Sequence, residues 1–250
     1  DVTGDGRADF VFRRGAEYYV NHDLFVIGGD PQSDRRFTWG GATGRLFLED
    51  VDGDDRDDFV LRTGTTIAAS TDTVAPGGDH YAEHRFSSGQ PDDRLHLGDV
   101  TGDGRADFVL TRGSTHLVDH DVLVAGGEPG ADLQFDWGPA DGRLHLGDVD
   151  GDQREDFVLR DGAAVSVSTD SAVPAGDPAT ERRLTWGVRS DLLFLGDVTG
   201  DAVDDLVLRR ARTYYVNNDA VLPGGDAAGD RQFTAGERTD QLVVQPAIQT

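Results

Sequence analysis

The nine-residue sequence DVTGDGRAD occupies residues 1–9, and close copies of it recur at 50–58, 99–107, 148–156 and 197–205. The copies read DVTGDGRAD, DVDGDDRDD, DVTGDGRAD, DVDGDQRED and DVTGDAVDD, each beginning 49 residues after the one before. Positions one, five and nine are Asp in all five copies, and position four is Gly. A fixed period of this length is typical of solenoids, propellers and related arrays.

The third copy shows what one repeat contains. Short β-branched, aromatic or alternating segments predict strands at 94–98, 108–112, 115–118 and 133–137. The acidic segment 99–107 joins the first two of them, and glycines stop most of the others. Four short strands per repeat are the content of one propeller blade.

Residues 1–250 are therefore predicted to form a single all-β domain, a five-bladed β-propeller with four-stranded blades of 49 residues. The repeats begin at residues 1, 50, 99, 148 and 197. Leu242-Val243-Val244 is in register with the first strand of the third repeat, so a strand at about 241–245 is expected to pair into the first blade and close the ring. Copies one, three and five resemble each other, as do two and four, which leaves a fragment of a larger, even-numbered ring as the alternative.

The composition narrows the possible partners. The formal net charge is −24, which disfavours nucleic acid, and no apolar run is long enough for a membrane helix. The chain has no Cys and so neither a disulfide nor a thiolate metal site. The five nine-residue segments hold 21 of the 47 acidic residues, which concentrates negative charge where cations would bind.

The nine-residue segment, here called the acidic loop, has the pattern of a calcium site. Calcium takes six to eight oxygen ligands, and a tight loop presents them from alternate residues. In the first loop these are the side chains of Asp1, Thr3, Asp5 and Asp9 and the carbonyl of Arg7. Up to five Ca²⁺ ions are expected. The equivalent ligands are Asp50, Asp52, Asp54, Arg56 and Asp58; Asp99, Thr101, Asp103, Arg105 and Asp107; Asp148, Asp150, Asp152, Arg154 and Asp156; and Asp197, Thr199, Asp201, Val203 and Asp205.

The loop is not an EF-hand, although it begins like one. An EF-hand requires Glu at position twelve, and this chain has an apolar residue there in every copy. The pattern resembles instead the FG-GAP/VCBS repeat family, β-propellers with a D-x-[DTN]-G-D-G-x-x-D loop between the first two strands of each blade. The resemblance covers essentially all 250 residues. Integrin α-subunit heads and several lectins carry similar blades. It implies structural calcium and a carbohydrate or cell-wall polysaccharide as the favoured ligand.

Three loops depart from the family pattern. Asp55 and Gln153 replace the glycine at position six, and Ala202-Val203 replace Gly-Arg in the fifth loop. These loops are expected to bind calcium more weakly. The family usually has seven blades, so a ring of five is a further departure.

A ligand site other than calcium is less clearly marked. Trp39, Trp137 and Trp186 share one repeat position and are candidate platforms for stacking on a sugar ring, with packing between blades as the alternative. His96 and His145 occupy a position that is apolar in the other repeats, which predicts packing.

No catalytic constellation is recognisable. There is no nucleophile elbow, the repeated carboxylates are assigned to calcium, and no unrepeated acidic residue stands out. The chain is thus expected to be a non-catalytic, lectin-like module of a secreted or cell-surface protein, bacterial in source and one part of a larger protein. A protein–protein interaction scaffold is the alternative.

Overall fold

The structure is a computed structural model that describes most of the chain. The described residues are 1–7, 9–23, 29, 32–72, 74, 84–123, 130–170, 182–219, 221, 225 and 228–235. They form 19 β-strands and no helix. No helix suited to crossing a bilayer occurs in this part of the chain.

The strands fall into five groups that follow chain order. The first two groups are β1 (Phe10–Arg14), β2 (Glu17–Asn21) and β3 (Arg35–Thr38), then β4 (Arg45–Glu49), β5 (Asp58–Thr63), β6 (Thr66–Ser70) and β7 (His84–Ser87). The third and fourth are β8 (Arg94–Gly98), β9 (Asp107–Arg112), β10 (Thr115–Asp119) and β11 (Leu133–Asp136), then β12 (Arg143–Gly147), β13 (Asp156–Asp161), β14 (Ala164–Ser168) and β15 (Arg182–Thr185). The fifth is β16 (Leu192–Gly196), β17 (Asp205–Arg210), β18 (Thr213–Asn217) and β19 (Arg231–Thr234).

Each group forms its own antiparallel sheet in which consecutive strands are neighbours. Four sheets have four strands, and the first has three, β1–β2–β3, in the described residues. Five successive meander sheets are the architecture of a five-bladed β-propeller, as predicted from the 49-residue period. The closing strand at 241–245 lies outside the described residues and stays a prediction.

The strand boundaries of the third repeat agree with the sequence pattern within about two residues. The second strand of the blades is the most buried element. In β5, β9, β13 and β17 every residue except the last is buried. A strand covered on both faces reads as a continuous apolar run rather than an alternating one, which explains sequences such as Phe157-Val158-Leu159.

The chain divides into two compact units, and each has its own cores. The first unit, Asp1–Asp93 with Gly104–Asp107 and Asp119–Ala131, contains the first two sheets. Its main core brings Phe59 of the second sheet against Tyr18, Phe37 and Trp39 of the first, with ring centroids 5.4–6.2 Å apart. The residue just after an acidic loop therefore joins two neighbouring blades.

The second unit repeats this arrangement and holds most of the remaining strands. Phe157, just after the fourth loop, packs edge-on against Phe135 and Trp137 of the preceding sheet at 5.4 and 6.4 Å. Leu206, just after the fifth loop, belongs to the core that contains Val165, Leu184 and Trp186. Loops two, four and five are thus each followed directly by a residue that packs against the neighbouring blade.

Candidate metal centres

The acidic loop is wound around the carboxylate of its first residue. In the second loop, Asp50 Oδ1 accepts hydrogen bonds from the amides of Gly53 and Asp54 at 2.6 and 3.3 Å, and Oδ2 accepts one from Asp55 at 2.8 Å. Because one side chain receives several consecutive N–H groups, it fixes the turn without the help of neighbouring loops. The same bonds are made by Asp1, Asp148 and Asp197.

Position six adopts positive φ whether or not it is glycine. Gly6 and Gly104 have φ of 78° and 83°, and Asp55, Gln153 and Ala202 have φ of 65°, 69° and 66°. Non-glycine residues resist this region. The residues that replace glycine at position six of loops two, four and five therefore keep the shape of the loop but add backbone strain.

The ninth residue is held from the other side of the loop. Oδ2 of Asp58 accepts the amide of Val51 at 2.9 Å, and Oδ2 of Asp156 accepts the amide of Val149 at 2.9 Å. In loop five, Asp205 does the same with Val198 at 2.8 Å. In these three loops, one oxygen of the ninth carboxylate is thus fixed to the backbone, which leaves the other for a ligand.

Loops two and four each bring three carboxylates together. Ligand atoms of Asp50, Asp52 and Asp58 lie within 4.8 Å of one another, as do those of the equivalent set in loop four, which consists of Asp148, Asp150 and Asp156. Oδ1 of Asp52 and Oδ1 of Asp156 are buried with no hydrogen-bond partner in the described part of the chain. Buried carboxylate oxygens at this spacing fit a hard divalent cation.

The electrostatics of both triads favour either a proton or a cation. Burial, opposed in part by the hydrogen bond from Val51, and then the neighbouring carboxylates raise the pKa of Asp58 to about 9. Burial and the carboxylates of Asp150 and Asp148 raise the pKa of Asp156 to about 9. Carboxylates arranged so closely repel one another when all are ionised, and a divalent cation removes that repulsion.

The fifth residue of loops two and four lies outside the grouped carboxylates, and its role as a ligand stays a prediction. Asp54 and Asp152 are exposed, are absent from the triads, and accept the amides of Arg56 and Arg154 at 3.1 and 3.0 Å. The side chain of Arg154 also binds Asp152. Asp5 and Asp201 make the same backbone contact in loops one and five. Of the predicted side-chain ligands, the structure thus groups positions one, three and nine.

Loops one and five, with Thr at position three, have fewer carboxylates. The amides of Thr3 and Thr199 donate to Asp9 and Asp205 at 3.0 Å, and Oδ1 of Asp9 is buried without a partner among the described residues. Burial raises the pKa of Asp9. These loops therefore offer weaker charge to a cation. Loop three is divided between the two compact units, with Asp99–Asp103 in one and Gly104–Asp107 in the other.

Consecutive loops are joined by a repeated backbone hydrogen bond. The amide of position eight donates to the carbonyl of position one in the preceding loop, for example Asp57 to Asp1 at 2.9 Å and Glu155 to Asp99 at 2.7 Å. Beside this bond, the position-seven arginine covers the position-four glycine of the preceding loop. The pairs are Gly4 with Arg56, Gly53 with Arg105 and Gly102 with Arg154.

Glu49 is an acidic residue that the sequence reasoning missed. It ends β4, where the third, fourth and fifth blades have Gly98, Gly147 and Gly196. Burial and then the carboxylate of Asp57 raise its pKa to about 8. Comparison of the repeats at this position is the signal that would have found it. It lies next to the second acidic loop, and its protonation depends on the carboxylates of that loop.

The three candidate platform residues lie inside the cores. Trp39, Trp137 and Trp186 are 3%, 6% and 7% exposed, and each belongs to a hydrophobic cluster. Trp39 meets Tyr18 and Phe59 edge-on. Their rings therefore contribute to the packing that the sequence left as the alternative.

Comparison with known proteins gives fold-level likeness alone. No family model matches the chain. No curated protein matches it. Solved structures that are similar include an Agrocybe aegerita lectin (20% identity, TM-score 0.59, covering 92% of this chain and 63% of the lectin) described as specifically recognising non-reducing terminal N-acetylglucosamine. The chain thus spans less than two thirds of the lectin's length.

Two further similar structures are less alike in sequence. BBS1N, crystallised in complex with ARL6DN, has 10% identity and a TM-score of 0.52, covering 91% of this chain and 64% of that one. The β-propeller domain of Myceliophteria thermophila Cps50 (Swd1) has 6% identity and a TM-score of 0.51, covering 89% and 67%. All three agree with a propeller fold.

Proposed function

We propose that this chain is a calcium-stabilised β-propeller that binds carbohydrate and catalyses no reaction. The observation that carries the calcium part is the pair of carboxylate triads in loops two and four, each with a buried, unpartnered oxygen among the described residues. In each triad, positions one, three and nine supply the carboxylates, and Ca²⁺ is the cation that such oxygen ligands suit. The ion's role is structural, because it removes the repulsion that opposes folding of the loop.

A calcium titration by calorimetry tests this part. Loops two and four are expected to bind first, since each has three grouped carboxylates, and this replaces the expectation of weaker binding drawn from their missing glycine. The loops with Thr at position three are expected to bind more weakly. Because the cation binds the folded loops and not the unfolded chain, excess chelator is expected to lower the melting temperature. Absence of any calcium heat together with unchanged melting in chelator would contradict the proposal.

The carbohydrate part is supported by the fold shared with the Agrocybe aegerita lectin and by the family resemblance of the acidic loops. A glycan array probed with and without chelator is the test. We expect binding to a limited set of glycans that declines when calcium is removed and the loops loosen. No calcium-sensitive binding to any glycan would reject the lectin function.

The second candidate is a protein–protein interaction scaffold. It is supported by the similar fold of BBS1N, a propeller solved together with a protein partner. Capture from a native secretome separates the two candidates, because free sugar displaces the partners of a lectin and leaves a protein partner bound.

The remaining features of the proposal follow from the loop pattern. Membership of the FG-GAP/VCBS family, secretion or display at the cell surface, and closure of the ring by residues 241–245 are all part of it. Extracellular calcium sites bind with dissociation constants of about 10⁻⁴ to 10⁻³ M, which suits loops with only two or three grouped carboxylates.

A further inference from the structure

A cavity of about 490 Å³ in the second compact unit has no role in the metal centres. It lies between the fourth and fifth sheets and is lined by residues of β12, of the β13–β14 turn and of the segment that leads into β16. Its volume is in the range of small-molecule sites. Its wall carries three arginines and three aspartates, which are Arg143, Arg160, Arg189, Asp141, Asp161 and Asp191.

Arg160 is the unusual member of this wall. It is 5% exposed, its Nη2 donates to the carbonyl of Val188 at 2.9 Å, and its Nη1 is buried with no partner among the described residues. A buried guanidinium N–H without an acceptor costs free energy. Such a group is a reason to look for an acceptor that enters from the cavity.

In the first two blades, the arginine at the same repeat position has an acceptor for each of its three guanidinium nitrogens. Arg62, at the equivalent position of β5, donates to three backbone carbonyls. Its Nε bonds Gly64, its Nη1 bonds Asp93 and its Nη2 bonds Gln90, at 3.0, 2.5 and 2.8 Å. Arg13 of β1 likewise donates from Nε, Nη1 and Nη2 to backbone carbonyls. In these two blades the arginine therefore links several backbone carbonyls, whereas in the fourth blade one of its donors has no acceptor among the described residues.

The charge of Arg160 is only partly balanced by the protein, because the carboxylate of Asp191 attracts it and the guanidinium of Arg143 repels it. Arg143 is its direct cross-strand neighbour, and like charges in that position repel. Arg143 is exposed and makes no ion pair in the part of the chain that the structure describes. The closest buried carboxylate, Asp191, accepts Nε and Nη2 of Arg210 at 2.8 and 2.7 Å, and the amide of Val188 at 2.8 Å. Asp191 is thus already engaged.

The positive charges of Arg160 and Arg143 also act on His145. It lines the same cavity from β12, and burial followed by the charges of Arg160 and Arg143 lowers its pKa to about 4. The imidazole is therefore neutral at pH 7 and offers one donor and one acceptor. The sequence predicted packing for this histidine, and the structure adds a place in the cavity wall.

Part of the wall is apolar. Leu192, Leu193 and Phe194 contribute to it, and Leu192 is 43% exposed. A cavity that combines an apolar surface with a pair of arginines is complementary to a ring that carries one carboxylate, because the ring packs on the apolar surface while the carboxylate accepts the free N–H groups. A bare anion would leave the apolar surface unused.

We propose that this cavity binds the carboxylate of a sugar acid, a uronic acid residue of a polysaccharide, with Arg160 and Arg143 as the carboxylate-binding residues. The choice of a sugar ring rests on the proposed carbohydrate function. The carboxylate site itself rests on the unused donor of Arg160, on Arg143, which forms no ion pair among the described residues, and on the apolar part of the wall.

Sodium glucuronate, glucose and sodium acetate are the probes, each titrated into the calcium-loaded full chain by calorimetry. We expect glucuronate to bind, and glucose and acetate to bind at least about tenfold more weakly, because each lacks one half of the ligand. Equal affinity for glucose would overturn the role of the arginines. Equal affinity for acetate would overturn the sugar acid, and so would an absence of glucuronate binding.

Arg143→Gln and Arg160→Gln are each expected to weaken glucuronate binding by about tenfold or more. The matched controls are Arg45→Gln and Arg62→Gln, the same cross-strand pair in the second blade, and these are expected to leave binding unchanged. Arg143 is exposed, so its replacement tests the site even if Arg160→Gln fails to fold. Unchanged affinity in Arg143→Gln, or an equal loss in the controls, would overturn the proposal.

The glycan array keeps this inference separate from the proposed function. Calcium-sensitive binding to neutral glycans without glucuronate binding leaves the lectin function intact and rejects the sugar-acid site. Glucuronate binding that requires Arg143, with no array signal for neutral glycans, supports the site and rejects a neutral-sugar lectin.

Discussion

The glycine at position four of the first three acidic loops meets two demands at once. Gly102 has φ of 79°, a region that non-glycine residues resist. It also lies beneath Arg154 of the next loop, so that an added Cβ would stand 2.6 and 2.7 Å from Cγ and Cδ of that side chain. Arg154 is held there because its Nε donates to Asp152 at 2.8 Å. The glycine therefore permits both the turn and the contact between loops.

Gly102→Ala and Gly200→Ala separate these two demands. Gly200 has a similar φ of 84°, but no described atom lies within 4 Å of the place where its Cβ would be. We expect Gly200→Ala to lower the free energy of unfolding by about 1–2 kcal/mol through backbone strain. Gly102→Ala should cost about 1–3 kcal/mol more, because it also displaces the arginine. Urea unfolding in saturating calcium measures both.

The control is Gly102→Ala in an Arg154→Ala background. With the arginine shortened, the alanine has space, and its cost should fall to that of Gly200→Ala. Equal costs of the two glycine substitutions in the wild-type background would show that the contact between the loops contributes nothing.

Sequence reasoning reached only one of the two reasons for this glycine. Its backbone freedom was readable from the repeat. The covering arginine was not, because Gly102 and Arg154 are 52 residues apart and meet only when neighbouring blades pack. Glu49 escaped notice for a related reason. Its raised pKa depends on burial and on Asp57, and neither follows from the local sequence.

Without a bound cation, the acidic loop combines a well-ordered backbone with a buried carboxylate that is unfavourable to ionise. Its backbone is fully organised by Asp148 in loop four, yet Asp156 is 1% exposed and its pKa is raised to about 9. The pKa of this group in the unfolded chain is close to 3.8. A raised folded-state pKa stabilises the protein below the unfolded value, and that stability is lost as the pH rises towards about 9.

Asp156→Asn should therefore have opposite effects with and without calcium. In chelator at pH 8, the free energy of unfolding is expected to rise by about 1–3 kcal/mol, since a neutral amide avoids the cost of protonating the carboxylate on folding. In calcium the same variant should be less stable than wild type, because loop four loses a ligand. Urea unfolding at pH 5 and pH 8, in chelator and in calcium, measures the four values.

The chelated wild type should also lose more stability between pH 5 and pH 8 than Asp156→Asn does. Asp152→Asn is the matched control, because Asp152 is in the same loop but exposed and outside the triad. A loss of stability in both chelator and calcium would mean that Asp156 is needed for the loop's hydrogen bonds alone.

The loops also show how far ligand prediction from spacing can go. Alternate acidic residues correctly indicated grouped carboxylates, and the structure brings together Asp50, Asp52 and Asp58. Spacing could not show that the exposed Asp54 accepts a backbone amide. That contact depends on the direction of the side chain, which is set by the turn and not by the order of residues.

For the whole molecule, the 49-residue period was enough to predict five antiparallel sheets, because repeated strand patterns must form repeated sheets. The cavity between the fourth and fifth sheets was not predictable in this way. In its wall, Arg160 departs from the bonding of Arg62, although both are arginine at the same repeat position. Differences in contact between identical residues are invisible to a sequence comparison.

The net charge of −24 leads to a last prediction, which concerns the whole chain. Each bound Ca²⁺ removes two negative charges, so the chelated protein repels itself more strongly than the calcium-loaded one. Raising NaCl from about 0.02 M to about 0.5 M shortens the Debye length from about 20 Å to about 4 Å. The melting temperature of the chelated protein is expected to rise by about 2–4 °C for each kcal/mol regained, and that of the calcium-loaded protein by clearly less.

Tetramethylammonium chloride is the control salt for this measurement. Its cation is too large to enter an acidic loop, so it screens charge without replacing calcium at the carboxylates. Equal rises with the two salts assign the effect to repulsion across the whole molecule, whereas a rise with NaCl alone assigns it to sodium in the loops. A rise as large in calcium as in chelator would show that the acidic loops are not where the damaging repulsion lies, and it would remove the electrostatic reason for placing structural cations in them.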